Sequence, residues 1–386
     1  MAFDPSKFYV GVNIGWINDK YRHDLSTPFV DTWSVEQYPP AGFQTLVNAY
    51  FTHLVSRNMR VARFWVYEKF EGLDFLLTRA SFVYRATDFF VYRDWPGFRD
   101  RIGLVMQAAA AHNILVYWCL LDGAAVLNVN HPEAWVRPTM HHLIETVRSN
   151  FKTDILLPFL DAVTPFEENV FAIDIGNEMD WCWAATEGGD FSTTTIIDFI
   201  NEIADFIHAH SSLKCTCSFG KLSELMANKA ALSSLDFFDY HRYLTPGAPA
   251  RDSTGNINDH GDLIDWPAAD KPCIIGEVGY NYPSGATQDD ALQTSSTISI
   301  LTSALTKGYL GALLWRESPT ENLWALLKYD SQGIAPATII ETFIQRFTTT
   351  ITSSGPGSYA AFERPLWNPV TTFIGTIPAG RMPPIP

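Results

Sequence analysis

The sequence predicts an α/β protein built as a single (β/α)₈ TIM barrel with long βα loops and an extended C-terminal tail. Two observations carry this prediction: eight short apolar segments recur along the chain, and helical patterns of apolar residues separate them. In addition, several of the segments are near-continuous hydrophobic runs, as expected for parallel strands covered on both faces. The 386 residues are 47% hydrophobic, which is enough for one large core.

Each predicted strand is a short apolar segment bounded by turn or polar residues. The eight segments span residues 8–17, 60–66, 114–122, 170–177, 214–220, 235–243, 273–280 and 311–317. A doubly wound open sheet is the alternative, and it would carry a glycine-rich phosphate-binding turn after an early strand. No such turn follows the first strand, so the closed barrel is favoured.

Helical patterns fill the gaps between the strands. They span residues 42–58, 97–113, 192–210, 222–232, 286–306 and 336–349. The clearest is 192–210, where hydroxyl residues suited to capping precede a stripe of isoleucine and phenylalanine at helical spacing. The pattern therefore alternates strand and helix along the whole barrel.

The domain prediction is one barrel over residues 1–351, with residues 352–386 as an extended tail packed on it. The tail is rich in Gly, Pro and Ser and contains isolated aromatic residues. The main loops are predicted at residues 67–96, 123–131, 181–191 and 244–262. Loops of this length in a barrel commonly shape a substrate cleft.

Composition narrows the class of partner. The net charge is −15 and no run of Lys or Arg occurs, which disfavours nucleic acid and anionic membrane surfaces. No apolar run is long enough to span a membrane, and the N-terminus lacks a basic segment followed by an apolar stretch. We therefore expect a cytoplasmic protein or a secreted one whose leader has been removed, with the localisation and the oligomeric state left open.

The five cysteines do not indicate a metal site by their spacing. Their number is odd, and no pair has zinc-site spacing flanked by further ligands. Buried free thiols are the predicted state. The sequence accordingly predicts no cofactor and no metal.

Two strand ends carry a glutamate. In a (β/α)₈ barrel the functional groups lie at the C-terminal ends of the strands, and Glu178 follows strand four while Glu277 lies near the end of strand seven. An ion pair with Arg63, on strand two, is the structural alternative and would account for one of the two. Two carboxyl groups at one barrel mouth, one protonated and one ionised, are what glycoside hydrolysis requires.

The two carboxyl groups must therefore differ in pKa. We predict that Arg63 holds Glu277 ionised. The negative charge of Glu277 would then raise the pKa of Glu178 and keep it protonated.

This constellation resembles glycoside hydrolase clan A, and within it family 5, the cellulase and mannanase family, over residues 8–349. The resemblance implies a retaining β-glycosidase in which Glu178 is the general acid/base and Glu277 the nucleophile. It also implies that Asn177 binds the 2-hydroxyl of the sugar and that Tyr243 is directed at the nucleophile. The remaining residues with an implied role in substrate binding are Arg63, His241 and Trp315, the last as the floor under the sugar undergoing cleavage.

The sequence departs from that family at two places. Met179 follows the Asn-Glu pair where the family usually has Pro, and Leu121-Asp122 ends strand three where many members carry His. Asp122 could bind a sugar hydroxyl or cap a loop. These departures leave the subfamily and the substrate open, but they remove neither carboxylate.

Aromatic residues cluster near the first four strand ends. Trp16 and Trp181 are predicted to bind substrate by stacking on sugar rings. The other tryptophans in this set can serve either as platforms or as core residues; they are Trp65, Trp118 and Trp183.

The predicted function is retaining hydrolysis of β-glycosidic bonds in β-linked oligo- or polysaccharides, with gluco- or manno-configured sugars. A non-catalytic carbohydrate-binding barrel is a second hypothesis, although such a protein usually lacks one of the carboxylates. A metal-dependent barrel hydrolase is a third, and it would carry His-x-His near the end of strand one, where this chain has Gly-Trp-Ile-Asn. Linkage, endo or exo action and transglycosylation stay open.

Overall fold

In the computed structural model the described residues are 4, 7–15, 25, 40–68, 73–75, 90–92, 95–127, 136–244, 263–267, 269–280, 297, 300–301, 303–315, 317–318 and 327–328. Four features predicted from the sequence lie outside these residues, and one of them is the loop at 244–262 beyond its first residue. The other three are Trp16, the helix at 336–349 and the tail at 352–386.

Thirteen strand segments occur in the described part of the chain. They are β1 (Tyr9–Ile14), β2 (Val61–Trp65), β3 (Leu73–Phe75), β4 (Phe90–Tyr92), β5 (Leu115–Asp122), β6 (Val170–Asn177), β7 (Cys215–Thr216), β8 (Ser218–Phe219), β9 (Phe238–Leu244), β10 (Cys273–Tyr280), β11 (Gly311–Leu314), β12 (Glu317–Ser318) and β13 (Leu327–Lys328). All eight predicted strand segments are present.

In the described part of the chain, α-helices lie between most successive strands of the barrel, and none is described between β9 and β10. They are α1 (Pro40–Ser56), α2 (Trp95–His112), α3 (Val136–Glu145), α4 (Arg148–Asn150), α5 (Leu157–Val163), α6 (Thr193–His210) and α7 (Leu222–Asn228). A π-helical turn, Phe151–Leu156, joins α4 to α5. Within the helix predicted at 286–306, the described residues 297, 300–301 and 303–306 are helical. Among the described helices, none has the length and apolar character that crossing a membrane demands.

The main sheet is closed. Its order is β7-β6-β5-β2-β1-β11-β10-β9-β8, and every pairing in it is parallel. Only Cys217 separates β7 from β8, so the two ends of the sheet are halves of one interrupted strand. β7 pairs with β6 and β8 pairs with β9, which closes an eight-stranded barrel. The predicted (β/α)₈ fold is confirmed, and the doubly wound open sheet is excluded.

The barrel interior changes character along its axis. Near the N-terminal ends of the strands it holds an apolar cluster that includes Tyr9, Tyr117 and Phe171. Tyr9 and Phe171 lie on strands that are not neighbours, and their rings meet edge to face at 5.0 Å, so they pack across the interior. Nearer the C-terminal ends the buried side chains are polar; they include Asn13, Arg63, Asp174, Ser218 and Asp239.

A second, larger apolar cluster joins the outer face of the barrel to its helices. Helix α6 illustrates how the sequence determines this packing. The Ser192 side chain accepts a hydrogen bond from the Thr195 N–H at 3.1 Å, which caps the helix where the sequence predicts. The isoleucine and phenylalanine stripe of α6 is then buried against the barrel.

The structure adds a strand pair to one predicted loop and confirms the predicted state of the cysteines. The long segment 67–96 contains an antiparallel pair, β3 with β4, which the sequence pattern does not reveal. All five cysteines are buried and free, as predicted.

Candidate active site

The two predicted carboxylates lie together at the C-terminal mouth of the barrel. A carboxylate oxygen of Glu178, directly after β6, lies within 4.8 Å of one from Glu277 on β10. The His241 Nδ1 atom, on β9, lies between them, 2.8 Å from Glu178 Oε1 and 3.4 Å from Glu277 Oε2. The site is therefore a triad of two carboxyl groups and one imidazole, in which His241 and Glu277 are buried and Glu178 is partly exposed.

Glu277 is held by donors at both oxygens. Oε1 accepts a hydrogen bond from Arg63 Nη1 at 2.7 Å, and Oε2 accepts one from Tyr243 Oη at 2.5 Å. Burial raises the pKa of Glu277, and the charges of His241 and Arg63 offset only part of that rise. The two donors restrict the carboxylate to one orientation in the barrel mouth.

The backbone in front of Glu277 is clamped from two sides. The register of β10 shifts at this point, and Gly276 N donates to Asp239 Oδ1 at 2.7 Å. Asn13 Nδ2 donates to the Gly276 carbonyl at 2.9 Å. A Cβ on Gly276 would lie 2.3 Å from the Asp239 oxygens, so only glycine allows this approach.

Arg63 is the centre of the buried network. Its Nη2 donates to Asp174 Oδ2 at 2.6 Å and to Asn177 Oδ1 at 3.0 Å, while its Nη1 also donates to Asn13 Oδ1 at 2.9 Å. The structural alternative, an ion pair with Arg63, thus holds for Glu277, and Asp174 is a second anionic partner. Glu178 is left without a guanidinium partner among the described residues.

Glu178 has a strained backbone. Its φ of 45° and ψ of 50° lie in the left-handed region, which is costly for a residue with a side chain. Its N–H donates to Ser218 Oγ at 3.1 Å, and its Oε2 accepts from Trp181 Nε1 at 2.6 Å. The side chain is 20% exposed, and a Cβ on the neighbouring Gly220 would lie 3.3 Å from Glu178 Cδ. The absence of a side chain at Gly220 therefore leaves space beside this carboxyl group.

The predicted order of the two carboxyl pKa values is wrong for the free protein. Burial raises the pKa of Glu178, but the hydrogen bond and charge of His241 and the hydrogen bond from Trp181 outweigh it and hold that pKa below the usual range. Burial lowers the pKa of His241, but Glu277 and Glu178 together raise it to about 9. The sequence predicts His241 only as a substrate-binding residue, and it does not predict the positive charge that His241 places between the two carboxylates.

Asn177 is oriented by its neighbours. Besides accepting from Arg63, it donates through Nδ2 to Asp122 Oδ1 at 3.2 Å. The same Asp122 oxygen accepts from Ala124 N at 3.1 Å and caps the turn after β5. Asp122 therefore has the capping role and also orients Asn177, and among the described residues no acceptor is assigned to the second N–H of that amide.

The tryptophans that could stack on sugar rings have different neighbours in the structure. Trp181 donates to Glu178, and the Lys221 ammonium lies 5.2 Å from the centre of its ring, so sugar stacking on Trp181 would have to use the other face. Trp315 follows β11 and packs against Trp65 with ring centres 6.0 Å apart. Trp118 is fully buried and is a core residue.

Several polar residues of the site are absent from the sequence prediction. Asp180 is buried and accepts from Gly220 N at 2.7 Å and Lys221 N at 3.1 Å, and burial together with Glu178 raises its pKa to about 7. Asn13 and Ser218 lie near the C-terminal ends of barrel strands, and this position could have identified them as site residues from the sequence. Asp239 lies within β9, where no local pattern distinguishes it.

The donor set at the mouth suits proton transfer better than metal binding. Glu178, His241 and Glu277 lie close enough to hold an ion, but Arg63 and Tyr243 already donate to the Glu277 oxygens. The buried guanidinium would repel a cation at this position. Two carboxyl groups and an imidazole that share protons can instead act as acid, base and nucleophile.

Comparison with known proteins bears on the fold. No protein-family model and no curated protein sequence matches the chain. Among solved structures, it is similar to a β-1,4-D-mannanase from Cryptopygus antarcticus (17% identity, 89% of this chain and 90% of that chain covered, TM-score 0.59). It is also similar to an endo-1,4-β-mannanase from Rhizomucor miehei (16% identity, 90% of this chain and 95% of that chain covered, TM-score 0.57). A third similar structure is a β-mannanase from the blue mussel Mytilus edulis (15% identity, 89% of this chain and 92% of that chain covered, TM-score 0.54). At these identities the likeness shows the barrel fold.

Proposed function

We propose that this chain is a retaining β-glycosidase that hydrolyses β-1,4-linked, manno-configured oligo- or polysaccharides. One observation carries the proposal: one carboxylate oxygen of Glu178 lies within 4.8 Å of one from Glu277 at the barrel mouth. Carboxyl groups in retaining glycosidases lie about 5–5.5 Å apart, against about 6.5–9.5 Å in inverting ones. The shorter gap leaves no room for a water behind the anomeric carbon.

Glu277 is the nucleophile in this mechanism. Its carboxylate attacks the anomeric carbon, the bond to the leaving oxygen breaks, and that oxygen takes a proton from Glu178. A water then enters, gives its proton to Glu178 and attacks the same carbon, which releases the sugar with its β configuration. Arg63 and Tyr243 hold the Glu277 carboxylate in one orientation throughout the first step.

His241 supplies the mobile proton. The ionised Glu178 accepts from His241 Nδ1 at 2.8 Å, so the two share one proton along a direct hydrogen bond. When Glu277 forms its bond to carbon it loses its negative charge, and the attraction that favours the imidazolium weakens. The proton then passes to Glu178 and on to the leaving oxygen.

We expect kcat/KM to follow a bell-shaped pH curve with its basic limb near pH 9. As pH rises through that value, the His241–Glu178 pair loses its shared proton and the acid is lost. As pH falls, buried Glu277 becomes protonated above the pH of an ordinary glutamate, and the nucleophile is lost. Because the groups interact, both limbs report the triad and not single residues.

A histidine variant tests this assignment. His241→Asn keeps a donor near Nδ1 but cannot carry the charge, so the basic limb should move below that of the wild type. Initial rates on an aryl β-mannoside across pH measure both curves. An unmoved basic limb in His241→Asn would show that another group holds the proton.

The similar structures favour manno-configured substrates, since all three are described as mannanases. The decisive experiment is proton NMR of the first product released from β-1,4-manno-oligosaccharides, with β-1,4-gluco-oligosaccharides in parallel. The β-anomer should appear before mutarotation, and the manno-series should react faster. An α-anomer appearing first rejects the retaining mechanism, and faster hydrolysis of the gluco-series rejects the proposed sugar.

A further inference from the structure

A second cluster of ligand-type side chains lies at the opposite end of the barrel. His208 is in the last turn of α6, Cys215 is the first residue of β7, and Asp236 lies two residues before β9. One ligand atom from each lies within 4.8 Å of the other two. We call these three residues the rim cluster, because strands β7 and β9 begin there, whereas Glu178 and Glu277 lie where strands end.

We propose that the rim cluster binds one Zn²⁺ ion through His208 Nε2, Cys215 Sγ and an Asp236 oxygen, with water as the fourth ligand. Zn–ligand bonds of about 2.0–2.3 Å place the donors of a tetrahedral site about 3.3–3.6 Å apart. Here Nε2 lies 3.3 Å from Sγ and 2.8 Å from Asp236 Oδ2. Separating the His208 and Asp236 atoms by about 0.5 Å would therefore accommodate the ion.

The backbone already orders two of the three ligands. Cys215 N donates to Asp236 Oδ2 at 2.8 Å, and Asp236 N donates to the Cys215 carbonyl at 2.9 Å. Lys214 Nζ donates to Asp236 Oδ1 at 2.9 Å, which occupies that oxygen and leaves Oδ2 facing the thiol and imidazole. Such supporting hydrogen bonds to ligating groups are typical of metal sites.

Charge balance explains why a divalent ion suits this place. The Cys215 side chain is buried and lies beside the Asp236 carboxylate, whose Oδ2 accepts a hydrogen bond from the Cys215 N–H at 2.8 Å. Binding of Zn²⁺ releases the thiol proton, and any proton on His208 Nε2, to solvent. The thiolate and the carboxylate then supply two negative charges that neutralise the ion.

The chemistry and the access both favour zinc. Thiolate and imidazole are ligands that Zn²⁺ prefers, whereas Mg²⁺ and Ca²⁺ take oxygen ligands. The His208 side chain is 37% exposed, so an ion and a water can approach from solvent. Among the described residues, no other cysteine belongs to such a group of three ligand-type side chains.

The test uses Co²⁺ as a spectroscopic probe on untagged, chelator-treated protein. Titration should give one equivalent of tetrahedral visible bands together with a thiolate-to-cobalt band in the near ultraviolet, and Zn²⁺ should displace both. In Cys215→Ser and in His208→Gln the affinity for Zn²⁺, measured by competition with a chromophoric chelator, should fall about 100-fold or more. Glycosidase activity should not change, because the cluster lies at the other end of the barrel.

Two control variants match these changes. Cys217→Ser removes a buried thiol two residues along, and His210→Gln removes an exposed histidine from the same helix end; both should keep the wild-type titration. If Cys215→Ser does not fold, His208→Gln decides, since its side chain is partly exposed. The inference is overturned if the wild type shows no thiolate band at one equivalent of Co²⁺, or if His208→Gln titrates like the wild type.

Discussion

Glu277→Ala is expected to lower kcat/KM by about 10⁵-fold, because it removes the group that forms the covalent intermediate. The change also opens space behind the anomeric carbon. Azide should occupy that space, attack from the vacated face and restore turnover, giving an α-glycosyl azide from a β-glycoside. Rates on an activated aryl β-mannoside with and without azide, and NMR of the product, measure both effects.

The fold should survive this substitution. Arg63 keeps its ion pair with Asp174 at 2.6 Å, so its buried charge is still compensated when Glu277 is absent. Glu202→Ala, which removes a partly exposed glutamate bound to Arg148 and Lys152, is the matched control and should retain activity. A folded Glu277→Ala enzyme with near-wild-type turnover, or one that yields a β-glycosyl azide, would reject Glu277 as the nucleophile.

Glu178→Gln is expected to lower kcat by about 10²–10⁴-fold on substrates with poor leaving groups. Activated aryl groups need little protonation, so their first-step rate should change far less. The amide cannot share a proton with His241, and the basic limb of the pH curve should disappear. Rates are measured on a series of aryl β-mannosides of graded leaving-group pKa, each at several pH values. They give the dependence of the rate on leaving-group pKa and show whether the basic limb of the pH curve is present.

Asp180→Asn is the control for this variant. It alters a buried carboxyl group two residues away that binds the Gly220 and Lys221 amides, and it leaves Glu178 in place. Its effect should be the same for good and poor leaving groups. Equal losses on both classes in Glu178→Gln would count against Glu178 as the acid.

The barrel could be predicted because its strands and helices are local patterns. Each of the eight strands is a short apolar run, and six helices show apolar residues at helical spacing, so most of the barrel is visible before any contact is known. Helices α3 to α5, between β5 and β6, are not among the helices that the sequence predicts. The break at Cys217 and the β3–β4 pair could not be predicted, since both depend on pairing with distant segments. Strand β7 pairs with β6 while β8 pairs with β9, and only closure of the sheet requires both.

The positions of Glu178 and Glu277 follow from the sequence by itself, because strand ends determine which side chains reach the barrel mouth. Their protonation does not follow. It depends on His241 Nδ1 lying 2.8 Å from one carboxylate and 3.4 Å from the other, a distance that barrel closure sets. Electrostatic interactions depend on such distances and on burial, so a pKa cannot be inferred from residue order.

The rim cluster also combines a feature that the sequence determines with one that only the tertiary structure decides. The sequence predicts that Cys215 is a buried free thiol, which the structure confirms, and the spacing of the cysteines along the chain shows no local zinc motif. Tertiary structure brings His208, at the end of α6, to 3.3 Å from the Cys215 thiol. It also brings Asp236, from the segment before β9, to 2.8 Å from His208. Ligands of a metal need only converge in space. His208 lies 7 residues before Cys215 and Asp236 lies 21 residues after it, and packing of the helix and strands around the closed barrel brings the three together.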